Sequence, residues 1–261
     1  MDINLNGKNA LVCGSSKGIG KATAFELAKL GANVTLVSRS PLKMTDIIHE
    51  MEQYNGQHHD FLVADFTNPE DLRKKVRGLV ATKPIHILIN NTGGPPAGPI
   101  LKAKPKDFIA AYTNHLICNQ LLVQLVVPRM KQEEYGRIVN IISTSVKAPI
   151  DNLGVSNTTR AAVANWAKTL SNELGPDGIT VNNVLPGFTD TDRLRELIGN
   201  IAENQKKTVE EVASNMEQSV PLKRFAKPSE IGSAAAFLST PAAAYITGTN
   251  ITVDGGRTRS L

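Results

Sequence analysis

Cysteine is scarce in this sequence, with Cys13 and Cys118 the only two. They sit in the apolar runs ALVCG and LICNQLL without metal-ligand spacing. Neither a disulfide framework nor a metal site can be built from them, and both are expected to be buried small hydrophobes. Long hydrophobic runs are missing as well: no segment approaches the roughly 18 continuous apolar residues of a membrane span, so no membrane partner is expected. The opening MDINLNGKNALV carries an early acid and a short apolar run. It matches neither a secretory signal nor a transit peptide, which makes the cytoplasm the expected location. Aromatics are few, at 5%, and no helix-turn-helix, zinc or aromatic-rich RNA-binding signature is present. The net charge of +5 would suit nucleic acid only if the basic residues clustered. They are instead interspersed with acids, as in KPKDF, KQEEYGR and TDTDRLRE, so a nucleic-acid partner is set aside.

With 41% hydrophobic and 20% charged residues, the composition is that of an ordinary globular protein. A chain of 261 residues can bury a sizeable core. Short β-branched runs at 10–13, 33–38, 61–64, 85–90, 137–142, 180–185 and 250–253 alternate with helical stretches at 19–30, 69–80, 107–130, 154–174 and 228–238. The strand candidates are continuously apolar, the mark of strands buried on both faces of a parallel sheet. The expected fold is therefore α/β: a Rossmann-type, doubly wound, parallel seven-stranded sheet in three layers with right-handed crossovers. No linker interrupts the alternation, so residues 1–261 are expected to form one dinucleotide-binding domain. One region, 188–225, is polar, helical in propensity and longer than a connection needs, which makes it a candidate lid or substrate-loop insertion.

The first strand runs through Gly14, Ser16, Lys17, Gly18, Ile19 and Gly20 straight into a helix. Glycines there let the backbone turn tightly and approach a pyrophosphate, while the helix N-terminus supplies free N–H groups. The second strand ends in Ser38-Arg39-Ser40. An acid at that point would hold the ribose hydroxyls of NAD; a basic residue accepts a 2′-phosphate, so NADP is the expected cofactor, with Lys17 as a second cation.

The glycine loop, together with NNTG (90–93), Ser143, LPGFTDT (185–191) and TGTNITVDGG (247–256), resembles the short-chain dehydrogenase/reductase family, and within it the β-ketoacyl-acyl-carrier-protein reductase-like branch. The resemblance spans essentially the whole chain. It implies that Asp65 caps the adenine amino group with the Phe66 backbone nearby, and that Asn91, Thr92 and Gly93 line the adenine-ribose side. It implies further that Pro186, Gly187, Phe188 and Thr189 hold the nicotinamide carboxamide, with Thr191 also in reach. Asn114 would hold a water in a proton relay, and Ser143 would hydrogen-bond the substrate carbonyl. A homotetramer paired through the helices at 107–130 and 154–174 is also implied.

The pattern fails at one place. The family's tyrosine lies thirteen residues after the serine and its lysine four further on; counting from Ser143 reaches Ser156 and Arg160. An aliphatic hydroxyl is a far weaker acid than a phenol, and Arg does not release a proton. None of Tyr54, Tyr112, Tyr135 and Tyr245 stands near the required position. Arg160 can still hydrogen-bond the nicotinamide ribose from one helical turn away. Lys147 and Asp151 read as exposed loop charges. The expected activity is an NADP-dependent oxidoreductase acting on a small-molecule carbonyl or alcohol, with atypical proton-donor residues. A non-catalytic NADP-binding sensor or assembly partner is the alternative.

Overall fold

The computed structural model describes residues 1–51 and 56–260; Tyr54 lies outside the described residues. Seven parallel strands form one sheet: β1 (Asn9–Cys13), β2 (Asn33–Ser38), β3 (Asp60–Val63), β4 (Ile87–Asn90), β5 (Gly136–Ile141), β6 (Ile179–Pro186) and β7 (Asn250–Val253). Their order is β3-β2-β1-β4-β5-β6-β7. Every neighbouring pair is parallel. Parallel neighbours need crossovers, and here helices supply them: α1 (Gly18–Lys29), α2 (Pro41–Glu50), α3 (Pro69–Thr82), α4 (Pro105–Tyr112), α5 (Cys118–Gln132), α6 (Gly154–Leu174) and α9 (Pro228–Leu238).

Alternate residues of each strand serve opposite faces, because side chains alternate across a strand. Ala10 and Val12 of β1 pack with Ala24 and Leu27 of α1, Met44 and Ile47 of α2 and Ile231 and Ala235 of α9. Leu11 and Cys13 face the other way, against Leu72 and Val76 of α3, Leu122 and Val126 of α5 and Leu170 and Leu174 of α6. Both faces are thus covered, which is why the strands read as unbroken apolar runs.

The register places one polar device in this interior. Asn90, Asn140, Asn183 and Asn250 stand side by side on β4, β5, β6 and β7. Their amides join in a row: Asn90 Nδ2 donates to Asn140 Oδ1 at 2.8 Å, Asn140 Nδ2 to Asn183 Oδ1 at 2.9 Å, and Asn183 Nδ2 to Asn250 Oδ1 at 2.8 Å. Buried amides are costly unless paired; each donor here serves the next residue, while Asn90 Oδ1 at the head of the row is left without a partner among the described residues.

Two departures from the sequence expectation concern helices. The stretch read as one helix over 107–130 is α4, then a π-helical segment Thr113–Ile117, then α5. The wider π turn lets Asn114 line the cleft while His115 turns inward to Thr92. The α2 helix was not anticipated; its Pro41 occupies a first-turn position, where the missing N–H costs nothing. The excursion at 188–225 holds α7 (Asp192–Gln205) and α8 (Val209–Gln218). Each is capped by a threonine, Thr191 accepting from Leu194 N and Thr208 from Glu211 N. They share a separate apolar cluster of Leu194, Ile198, Ala202 and Val212. No described helix is long and apolar enough to cross a membrane.

Candidate functional site

Strand order reverses between β1 and β4, since β1 pairs with β2 on one side and β4 on the other. Connections leaving the two strands diverge there and open a crevice at their C-terminal ends. A cleft of about 1270 Å³ occupies this position. Every dinucleotide-contact candidate from the sequence lines it except Gly20, as do Asn114, Ser143, Ser156 and Arg160. Lys147 and Asp151 do not line it, nor do Tyr112, Tyr135 and Tyr245. The Tyr135 hydroxyl instead donates to Ser239 O at 2.6 Å.

At the glycine-loop end, Gly14 and Gly18 have φ of +60° and +57°, a region open to glycine with little strain. A Cβ on Gly14 would sit 2.5 Å from Asn91 O, and one on Gly20 would collide with Gly14 O. The Gly20 role is therefore close packing under the loop. Asn91 Nδ2 clamps the loop by donating to Cys13 O and Gly14 O at 3.2 and 3.3 Å. The first turn of α1 has no side-chain cap and no acid, unlike α3, which Asn68 caps and Glu70 and Asp71 follow. Unpaired N–H groups and the positive dipole end of α1 thus face the cleft, a setting that favours an anion.

At the end of β2, Ser38 Oγ accepts from Ser40 N at 3.1 Å. Arg39 projects into solvent, its guanidinium 3.8 Å from Asp65. The Thr67 backbone N–H, aided by Arg39, holds the Asp65 carboxyl below its ordinary value. Lys17 reaches the other way, to Asp192 on α7 at 3.3 Å. Thr191 lies against Gly18, which brings the α7 cap over the glycine loop. A Cβ on Gly187 would lie 2.6 Å from the Asp254 side chain, so the LPGF turn packs directly on the β7 turn. Arg257 stacks 4.1 Å above the Phe188 ring.

At the opposite end stand Ser143, Ser156 and Arg160. Ser143 follows β5 and accepts from Ser145 N at 3.1 Å. Ser156 and Arg160 are one turn apart on α6 and only 8% exposed. Arg160 Nη1 donates to Ile141 O at 3.0 Å, while its Nε is buried without a partner. Burial, and then the neighbouring charge of Arg193, bring the Arg160 pKa down to about 10, which leaves it charged at neutral pH. The Thr92 hydroxyl is bonded to His115 Nδ1 at 2.5 Å. Burial foremost, then Arg160 and Arg193, depress His115 to about 2, so its ring is neutral.

Sequence reasoning missed Arg193. It crosses the cleft from the first turn of α7, donating to Gly94 O at 3.0 Å and Pro95 O at 2.9 Å. Its only signal was a basic residue inside TDTDRLRE, one of many there, and Gly94 follows NNTG without belonging to it.

The chain matches the enoyl-(acyl carrier protein) reductase family model over residues 14–258. It is 33% identical to the 3-oxoacyl-[acyl-carrier-protein] reductase FabG of Vibrio cholerae, over 97% of this chain and 98% of that one. It is 28% identical to the NADPH-dependent reductase BacG of Bacillus subtilis, over 97% and 99%. Among solved structures, L-sorbose reductase from Gluconobacter frateurii, complexed with NADPH and L-sorbose, superposes with a TM-score of 0.93 at 27% identity, covering 100% of both chains.

Proposed function

We infer the chemistry from the family: the chain belongs to the short-chain dehydrogenase/reductase family, and we propose that it is an NADP-dependent oxidoreductase reducing a small-molecule carbonyl, or oxidising the alcohol. The observation that carries this is a single cleft with an anion-receptive, acid-free helix N-terminus at one end and Ser143 at the other. The residues fit the cofactor. The glycine loop has no room for Cβ atoms at Gly14 and Gly20, and Arg39 is a cation where a 2′-phosphate would lie. Arg160 has a buried donor without a partner that a ribose hydroxyl would satisfy. Asp65 and the Phe66 backbone would serve the adenine, Asn91, Thr92 and Gly93 the adenine-ribose side, and Pro186, Gly187, Phe188, Thr189 and Thr191 the nicotinamide side.

NADPH, when bound, supplies a hydride to the carbonyl carbon. Ser143 donates a hydrogen bond to the carbonyl oxygen, stabilising the negative charge that develops there. The oxygen must then gain a proton. Ser156 and Arg160 stand where the family's tyrosine and lysine are expected, and neither is suited to release one near neutral pH. A water held by Asn114 is the proposed source. Arg160 binds cofactor and assists by charge. The working form is a cytoplasmic homotetramer, with residues 188–225 as a lid.

The absence of a phenol from the described cleft favours a second reading, a non-catalytic NADP sensor or assembly partner. Nicotinamide absorbance followed across ketones, quinones, sugars and acyl thioesters, alongside an NADPH titration, separates the two. Oxidation of NADPH supports the reductase. Binding without turnover on any of them supports the sensor.

A further inference from the structure

Arg160 and Arg193 form a pair of cations that the cofactor-binding reading leaves without counter-charge. Their guanidinium groups meet at one point: a Cβ on Gly94 would lie 2.9 Å from Arg193 Nη2 and 3.6 Å from Arg160 Nη2. Neither takes part in an ion pair among the described residues. The acids nearest in sequence are engaged elsewhere, Asp190 with Arg195 at 2.9 Å and Asp192 with Lys17 at 3.3 Å. The groups that do touch the pair, the carbonyl oxygens of Ile141, Gly94 and Pro95, satisfy hydrogen bonds but carry no net charge. The ring beside it, His115, is neutral. Arg160 is buried and lacks an anion, which is expensive; Arg193, exposed at the cleft mouth, adds a second positive charge beside it instead of neutralising it. Arg193 also stands in the first turn of α7, where the helix dipole disfavours a cation. Helix stability therefore does not account for it.

The dinucleotide does not supply the missing charge at this point. Its diphosphate belongs at the α1 N-terminus, around Gly18, and a ribose hydroxyl facing Arg160 is neutral. Arg160 belongs to the other end: it is one helical turn from Ser156 and bonds to Ile141, two residues before Ser143, while Arg193 reaches it from across the cleft, held by Gly94 and Pro95. We propose that Arg160 and Arg193 together recognise an anionic group on the substrate, so that the molecule reduced is a carbonyl compound carrying a carboxylate or phosphate a few bonds from the reacting carbon. Two planar forks converging on one point suit an acceptor with two or more oxygens. Arg193, arriving from 188–225, makes that segment contribute to specificity as well as to closure.

This inference rests on the reductase reading, and the test keeps the two apart. kcat/KM is measured with NADPH for phenylpyruvate against its methyl ester, and for dihydroxyacetone phosphate against dihydroxyacetone. Wild type, Arg193→Gln and Arg193→Lys are compared, with an NADPH titration of each. The charged member of one matched pair should be favoured by at least about tenfold, the scale of one charge-assisted hydrogen bond. Arg193→Gln should erase that preference, Arg193→Lys should restore part of it, and NADPH affinity should stay within about twofold, well below the loss of one such bond. Equal kcat/KM for charged and uncharged members in the wild type would overturn the inference. So would an NADPH affinity that falls in Arg193→Gln as far as kcat/KM does, because the cation would then serve the cofactor. Should no compound be reduced, the NADP-saturated protein is titrated calorimetrically with the same four. Binding of the anions alone keeps the anion site and favours the sensor reading over the reductase, whereas binding of none, or of both members equally, overturns the anion site.

Discussion

Arg39 carries the cofactor preference in this account: it is the cation at the end of β2, and its carboxylate neighbour at 3.8 Å is a weak, exposed partner that a phosphate can displace. Arg39→Ala should shrink the NADPH-over-NADH preference by about 1–3 kcal/mol, the scale of a lost charge-assisted hydrogen bond, as read by calorimetry. An unchanged ratio would remove Arg39 from the site. His115 makes a separate prediction about pH. Its folded pKa is depressed to about 2 from an unfolded value near 6.5, so between these values the unfolded chain binds the additional proton and stability falls as pH falls. From pH 7 to pH 5 the His115 contribution should cost about 2 kcal/mol. Urea midpoints for wild type and His115→Asn should therefore converge as the medium is acidified; parallel midpoints would contradict a buried neutral ring. The places of Arg39 and the glycine loop along the cleft were legible, because position along a βαβ unit puts them at the strand ends. His115 and Arg193 were not, since their roles depend on contacts 23 and 99 residues away in sequence.

Strands could be read from their apolar runs, because burial on both faces leaves a signal that needs no partner to be identified. The asparagine row could not. Its members occupy different places along their strands, Asn90 ending β4, Asn183 within β6 and Asn250 opening β7, and only the register aligns them. Asn140→Ala would strand the Asn90 donor and the Asn183 acceptor in a fully buried setting, costing about 2–4 kcal/mol for two orphaned groups. Chemical denaturation measures it, and a loss below the error of the fit would show that the row contributes specificity of register only. The long helix read over 107–130 was correct as to helix and blind to its π segment. Periodicity does not register one extra residue when both flanks keep apolar faces, as Ala111 and Leu122 do. Within 188–225, polar composition concealed two capped helices whose small apolar cluster emerges only when they pack on each other.

For the molecule as a whole, the order of elements was the most legible property and the state of assembly the least. Ile100, Leu101, Ile109 and Ile117 lie open to solvent on and around α4 and the π segment, beside the long helices expected to pair copies. A homotetramer that buries them should appear by light scattering at micromolar protein, and Ile109→Lys should shift it toward smaller species; a monomer at that concentration would defeat the assembly. The family match over residues 14–258 describes the scaffold, and the proposed departure from the family's chemistry rests on Ser156 and Arg160 at the cleft's far end. The most direct test of the central claim is single-turnover oxidation of bound NADPH by a carbonyl compound that the wild type reduces, compared in Ser143→Ala and Ser156→Ala. Ser143→Ala should slow hydride transfer by about 100-fold or more, the cost of one donor to a developing oxyanion, and Ser156→Ala should slow it far less with NADPH binding intact. Loss of turnover in Ser156→Ala with activity retained in Ser143→Ala would contradict the account and make Ser156 the acid.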